Sequence, residues 1–249
     1  MINSALYRTP VLLDPAAHRH KKIGELTDLS ITRGMHAVFV SATEFPQAAL
    51  DFAIVFVNSG DRDPAGKLLL SPVVLLGLSE GENLHVNGTQ WDGRYVPAFI
   101  RRFPFLTVRL KDSGAPGVMI DAAWSGLSDT EGQALFDADD KPAPALARAM
   151  QFLELFEVEA QRTRVFCARL AELDVLKEMQ ADATLPDGMT LSVDGFFSVD
   201  EDKLNSLPDA TVLELHRNGM LMLLQVHLLS LTNLRHLVER KARRMQAPL

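Results

Sequence analysis

The segment Trp91-Asp92-Gly93-Arg94-Tyr95-Val96-Pro97-Ala98-Phe99-Ile100-Arg101-Arg102-Phe103-Pro104-Phe105 alternates guanidinium groups with aromatic and apolar positions. That composition suits anion recognition: a planar guanidinium fork matches the two oxygens of a carboxylate or phosphate, and rings supply apolar contact beside it. Pro97 fits a first helical position and Pro104 disfavours helix at Phe103, so the spacing predicts one to two helical turns between them. Neighbouring residues on a helix point about 100° apart, which turns one of Arg101 and Arg102 inward and the other toward solvent. An inward arginine needs a counter-charge, because a buried unpaired charge is strongly unfavourable. Asp121, Asp92 or Glu44 would supply it in an internal ion pair; a ligand carboxylate or phosphate would supply it in a binding site. The expected ligand-binding set is Trp91, Arg94, Tyr95, Arg101, Arg102, Asp121, Glu44 and His227.

Other chemistries find less support. The seven histidines include no pair at metal-ligand spacing, so no metal site is predicted. No GxSxG elbow, Walker A loop or GxGxxG turn occurs; no catalytic residue is assigned and no cofactor is expected. His36 with Glu44 is a conceivable acid–base pair across neighbouring elements. His227, beside Leu223, Leu224 and Leu231, reads as a hydrogen-bonded core histidine or a ligand contact. Cys167 is the only cysteine, so no internal disulfide forms, and its helical surroundings read as packing. Asp137, Asp139 and Asp140 lack the glycine and glutamate register of a calcium loop and read as carboxylates near a helix start. Asp200-Glu201-Asp202 reads as a solvated turn, and the basic run Arg235 to Arg244 as cations near the negative end of a helix.

These groups must be held by a large core, which 249 residues with 47% hydrophobic content can build. The formal charge of −7 offers no general attraction to nucleic acid, which is not expected as a partner. The N-terminal order of apolar and basic residues does not fit a secretory signal, and Gly219–Leu231 is shorter than the roughly 20 residues that span a bilayer. No integral membrane segment is therefore expected, and the expected location is cytoplasmic, a surface association independent of a signal peptide being compatible with it. From Gly34 to Asp121, short β-branched and aromatic runs between Gly, Pro, Asn and Asp clusters predict strands, in a mainly antiparallel sheet. From Pro142 to Gln180 a 3.6-residue apolar stripe predicts one long helix or two with a bend, and Met220 to Arg244 predicts a final amphipathic helix. Between them, Pro186-Asp187-Gly188 signals a turn joining a short strand pair near 184–199. Asp209 is placed to cap a short helix ended by Asn218-Gly219. The expected class is α+β: a single 1–249 unit, strand-rich over 1–125 and helical over 142–249 with two long helices.

Several stretches resemble the SapC family, a bacterial group named after a surface-array locus and distinct from the similarly named peptide-transport permease. They are Glu44-Phe45-Pro46 with Phe52-Ala53-Ile54-Val55-Phe56, the arginine segment Arg94 to Phe105, Ala134-Leu135-Phe136-Asp137, Gly195-Phe196-Phe197-Ser198-Val199-Asp200 with Lys203-Leu204-Asn205, and His227-Leu228-Leu229-Ser230-Leu231. The likeness covers nearly the whole chain; Ala53, where proline is frequent, and Gln225-Val226, where Tyr-Ala often stands, depart from it. The resemblance implies a bacterial surface or nutrient-uptake context, with gene neighbours resembling flavin-dependent tryptophan halogenases, cupin-like proteins and TonB-dependent receptors, and brings no catalytic residues. The leading expectation is a non-enzymatic binding or accessory protein for an anionic small molecule or peptide, with a protein partner or homo-oligomer as further partners. The alternatives are a peptide-modifying or small-substrate enzyme, in which an arginine clamps a carboxylate and Glu44, Asp121 or His36 moves the proton, and a structural surface-layer protein.

Overall fold

The computed structural model describes residues 4–62, 66, 68–110, 114–184 and 190–246. Two compact units interleave along the chain: Met1–Thr32, Gly88–Gln90 and Ala98–Val158 form one, and Arg33–Asn87, Trp91–Pro97 and Glu159–Leu249 form the other.

In the first unit, strand Pro116–Asp121 lies antiparallel between Pro10–Leu12 and Phe105–Arg109. The register puts Val11, Ile120 and Phe105 side by side, so one face carries a continuous apolar row. That row meets Leu135, Phe136, Leu146 and Leu153 in the core. The last two belong to the helix Pro144–Glu172, which opens on a proline whose missing N–H costs nothing there and which turns Leu146, Ala149, Met150 and Leu153 to the core at helical spacing. A smaller sheet sets Lys22–Ile23 between Leu127–Ser128 and Gln133–Ala134. Gly132 turns the chain between the outer two with φ of +102°, and a Cβ there would stand 2.5 Å from the Ile23 carbonyl oxygen. Gly132→Ala is therefore expected to lower stability by about 2–3 kcal/mol in a denaturant titration, through left-handed strain and backbone overlap together.

The second unit is built on five antiparallel strands, in the order Leu176–Thr184, Thr190–Val199, Ile54–Arg62, Leu68–Leu75, Ala37–Phe39. Alternation along Ile54–Arg62 divides its side chains between two layers. Val55 joins Val73, Leu75 and Phe196 under Leu234, Leu237 and Val238 of the helix Asn233–Gln246. On the opposite side, Phe56 sits 6.5 Å from Phe45, 6.3 Å from Phe166 and 5.0 Å from His227, ring centre to ring centre. Cys167 is buried beside Phe166, and burial pushes its thiol up to about 12, so it is packed and inert at neutral pH.

The class is α+β, strands first and helices later, as the hydrophobic periods imply. Three boundaries differ from the periodic reading. The stripe through Leu173 and Leu176 does not continue the helix: it ends at Glu172, Asp174 takes a left-handed φ of 52°, and Leu176 begins a strand. The final helix is two, Met220–Ser230 and Asn233–Gln246, so the second long helix of the sequence reading is divided. At the break, the Ser230 and Thr232 hydroxyls donate to the His227 and Leu229 carbonyls at 2.6 and 2.8 Å, drawing on carbonyls that would otherwise continue the ladder. The strand pair is longer than the turn signal implied, Leu176–Thr184 with Thr190–Val199, and Pro186-Asp187-Gly188 lie outside the described residues. Asp209 is the first residue of its helix, Asp209–Arg217, behind Pro208 at the cap position.

Candidate anion-binding site

A single helical turn, Ala98–Arg101, leads through Arg102, Phe103 and Pro104 into the strand Phe105–Arg109. Ala98 and Ile100 are buried and anchor the turn, and Pro104 ends it. Arg101 is exposed and Arg102 half-buried, the division that their angular separation on a helix requires.

Arg102 is held without a carboxylate. Its guanidinium carbon lies 4.0 Å from the Phe99 ring centre, 4.8 Å from Phe156 and 6.0 Å from Tyr7. The Tyr7 hydroxyl, which faces the guanidinium, donates to the Phe105 carbonyl at 2.9 Å. Burial pushes Tyr7 up to about 12, so its hydroxyl keeps its proton at neutral pH. Nε of Arg102 is buried with no acceptor, and no ion pair of Arg102 occurs among the described residues. Burial also lowers its pKa, partly offset by Tyr7 and by the field of Glu157, whose carboxylate accepts the Thr107 hydroxyl at 2.5 Å. A guanidinium nonetheless stays charged.

Arg101 lies over Phe152, 5.2 Å from its ring centre. Arg148 donates to the Gln133 side-chain oxygen at 2.9 Å. All three arginines line one cleft of about 320 Å³, walled by Phe103, Pro104 and Phe105, by Ile23, Leu26 and Trp124, and by the Ala145, Ala149 and Phe152 face of the long helix. Gly24 and Gln133 complete the lining, and among the described residues no aspartate or glutamate takes part in it. Cations converging on low-dielectric walls concentrate positive potential there.

The remaining sequence-derived positions go elsewhere. Asp121, in the same unit, is buried and accepts the backbone N–H groups of Arg8, Thr9 and Ala123 at 3.0, 2.8 and 3.1 Å. In the second unit, Glu44 is buried, accepts the Tyr95 hydroxyl at 2.7 Å, and accepts Ser41 through both its N–H and its hydroxyl. Trp91 donates from Nε1 to the Tyr95 carbonyl at 2.8 Å, and the N–H groups of Arg94 and Tyr95 bind the Asp51 carboxylate. Asp92 pairs with Arg240. His227 accepts the Val199 N–H on Nε2 at 3.1 Å, so its neutral ring carries the proton on Nδ1. His36 is exposed. Glu44 and Tyr95 are thus brought together, Arg101 and Arg102 share a cleft, and the set as a whole does not converge on one site.

A sequence model of the SapC family matches residues 13–237. The chain belongs to the SapC family. The matched span runs through both units and includes every residue lining the cleft. No curated protein and no solved structure matches the chain. No helix among the described residues is long and apolar enough to cross a membrane, and among them no cluster of three histidine, cysteine or acidic residues could hold a metal ion. Sequence reasoning missed Trp124, Arg148 and Phe152. The signal for two of them was present: Ala145, Arg148, Ala149 and Phe152 fall at i, i+3, i+4 and i+7, one face of a helix. Trp124 had none, since only the fold carries it to the arginines.

Proposed function

We propose that this SapC-family protein is a non-enzymatic binding or accessory protein that holds an anionic ligand in the arginine cleft of its first unit, in the bacterial surface or nutrient-uptake setting that the family resemblance implies. The observation carrying this reading is the half-buried Arg102, packed against the rings of Phe99 and Phe156 with no ion pair among the described residues, in a cleft to which these contribute two further arginines and no carboxylate. Packing against the two rings restricts the side chain in advance, so less freedom is lost when an anion binds.

Titration calorimetry with acetate, phosphate and small mono- and dicarboxylates at low ionic strength tests the proposal. Saturable binding is expected, weakening as salt screens the exposed Arg101 and Arg148. Arg148→Ala is expected to weaken it about tenfold, and Arg102→Lys more, because an ammonium cannot reproduce the planar fork. Absence of saturable binding by every anion, or binding indifferent to both substitutions, overturns it.

A further inference from the structure

We infer that the ligand is a monocarboxylate carried on an apolar body of about amino-acid side-chain size, present either as a free acid or as the C-terminal residue of a peptide; this rests on the anion-binding reading of the same cleft. Three observations define the class. Apart from the arginines, Gln133, Gly24 and the indole N–H of Trp124, the lining side chains are apolar, so a bound group beyond the charged head meets mainly rings and aliphatic carbon. The volume of about 320 Å³ corresponds to roughly ten waters at about 30 Å³ each. A bare oxyanion fills a minor part of that and leaves apolar surface wet, whereas small-molecule sites of this size are filled mostly by ligand carbon. The charges are also unequal in depth: Arg102 is half-buried against two rings, while Arg101 and Arg148 are exposed. One inner cation balances one negative charge. A second charge brought against the apolar walls would lose its hydration with only solvent-screened arginines to offset the loss. A planar guanidinium such as that of Arg102 pairs in plane with a carboxylate.

The experiment is calorimetry on the full-length protein with phenylpropionate, its primary amide, acetate, inorganic phosphate, and a short peptide ending in phenylalanine, with its C-terminus free or amidated. Phenylpropionate is expected to bind at least about tenfold more tightly than acetate or phosphate, and both amidated probes to show no saturation. Arg102→Lys is expected to weaken phenylpropionate about 10- to 100-fold. Because Arg102 is packed among rings, the exposed Arg148→Ala supplies a second reading on a protein whose core is untouched, with a loss of about tenfold. Ala145→Leu, which fills the cleft from the long helix, is expected to weaken phenylpropionate by about tenfold and leave acetate unchanged. A free peptide terminus binding more tightly than phenylpropionate assigns the peptide source, and the reverse order assigns the free acid. Phosphate binding as tightly as phenylpropionate, with the same dependence on the arginines, overturns the carboxylate inference while anion binding stands. No arginine-dependent binding by any probe overturns both.

Discussion

Urea titrations of this protein are expected to show stability falling by on the order of 6 kcal/mol as pH drops from 6.5 to 4, with the loss located in the second unit. Two buried histidines cause it. His85 packs on Phe52, 4.7 Å between ring centres, and stacks on Trp91 at 5.9 Å; His227 is enclosed beside Phe56. Burial, joined at His85 by the charge of Arg240, lowers both from the ordinary 6.5 to about 4. In the unfolded chain each ring gains its proton as pH falls through 6.5, while the folded ring refuses it until about 4. Across that interval the unfolded state binds more protons, so stability is full above pH 6.5 and declines toward pH 4. Each ring contributes about 3 kcal/mol to the decline. His227→Gln keeps an acceptor for the Val199 N–H and removes the titration, so it is expected to reduce the acid-dependent loss by about half. The same loss in wild type and in a variant lacking both imidazoles would assign the acid sensitivity to carboxylates instead.

Asp121→Ala is expected to destabilise the first unit by on the order of 4 kcal/mol, measured by denaturant titration. The carboxylate is buried and accepts three backbone N–H groups, two of them from the segment Arg8-Thr9. Hydrogen bonds to an ionised acceptor contribute about 1.5–3 kcal/mol each, and removing this one takes the shared partner from three backbone N–H groups at once. Asp121→Asn keeps one acceptor oxygen and is expected to cost about half as much. The effect extends to the cleft, because the Asp121 N–H donates to the Pro104 carbonyl at 3.0 Å and the Ala122 N–H to the Thr9 carbonyl at 2.9 Å. Asp121→Ala should therefore weaken anion binding in step with its stability loss. Binding unchanged at reduced stability would show that the arginine turn is held by other contacts.

Composition and period determined much of this protein. Runs such as Ala53-Ile54-Val55-Phe56-Val57 and Pro72-Val73-Val74-Leu75-Leu76 are buried strands because β-branched and aromatic side chains fit a sheet covered on both faces. The stripe from Leu146 to Leu170 lies on one helix because its spacing repeats every 3.6 residues. The local rules placed the proline-bounded turn at Ala98–Arg101 and turned one arginine inward. They also marked His227 and Cys167 as candidates for packing, and both are buried. These are properties of neighbours in sequence, governed by short-range sterics and by which side faces water.

Tertiary structure alone decided where charges find their partners. The basic run at the chain's end reads locally as cations near a helix terminus; in the fold Arg240 pairs with Asp92, Lys241 reaches Glu82 at 2.5 Å, and Arg244 donates to the Asn83 and Val86 carbonyls. Asp121, a plausible counter-ion for either arginine in the sequence, binds backbone amides more than a hundred residues away. Arg102 is left with rings and the Tyr7 hydroxyl in place of an acid, while Arg148 and Trp124 join its cleft. The physical reason is that Coulomb attraction and hydrogen bonding act between whichever groups the packed backbone brings within a few ångströms. Hydrophobic periodicity specifies which face of an element is buried, and the pairing of those faces across long sequence separations sets which charges meet.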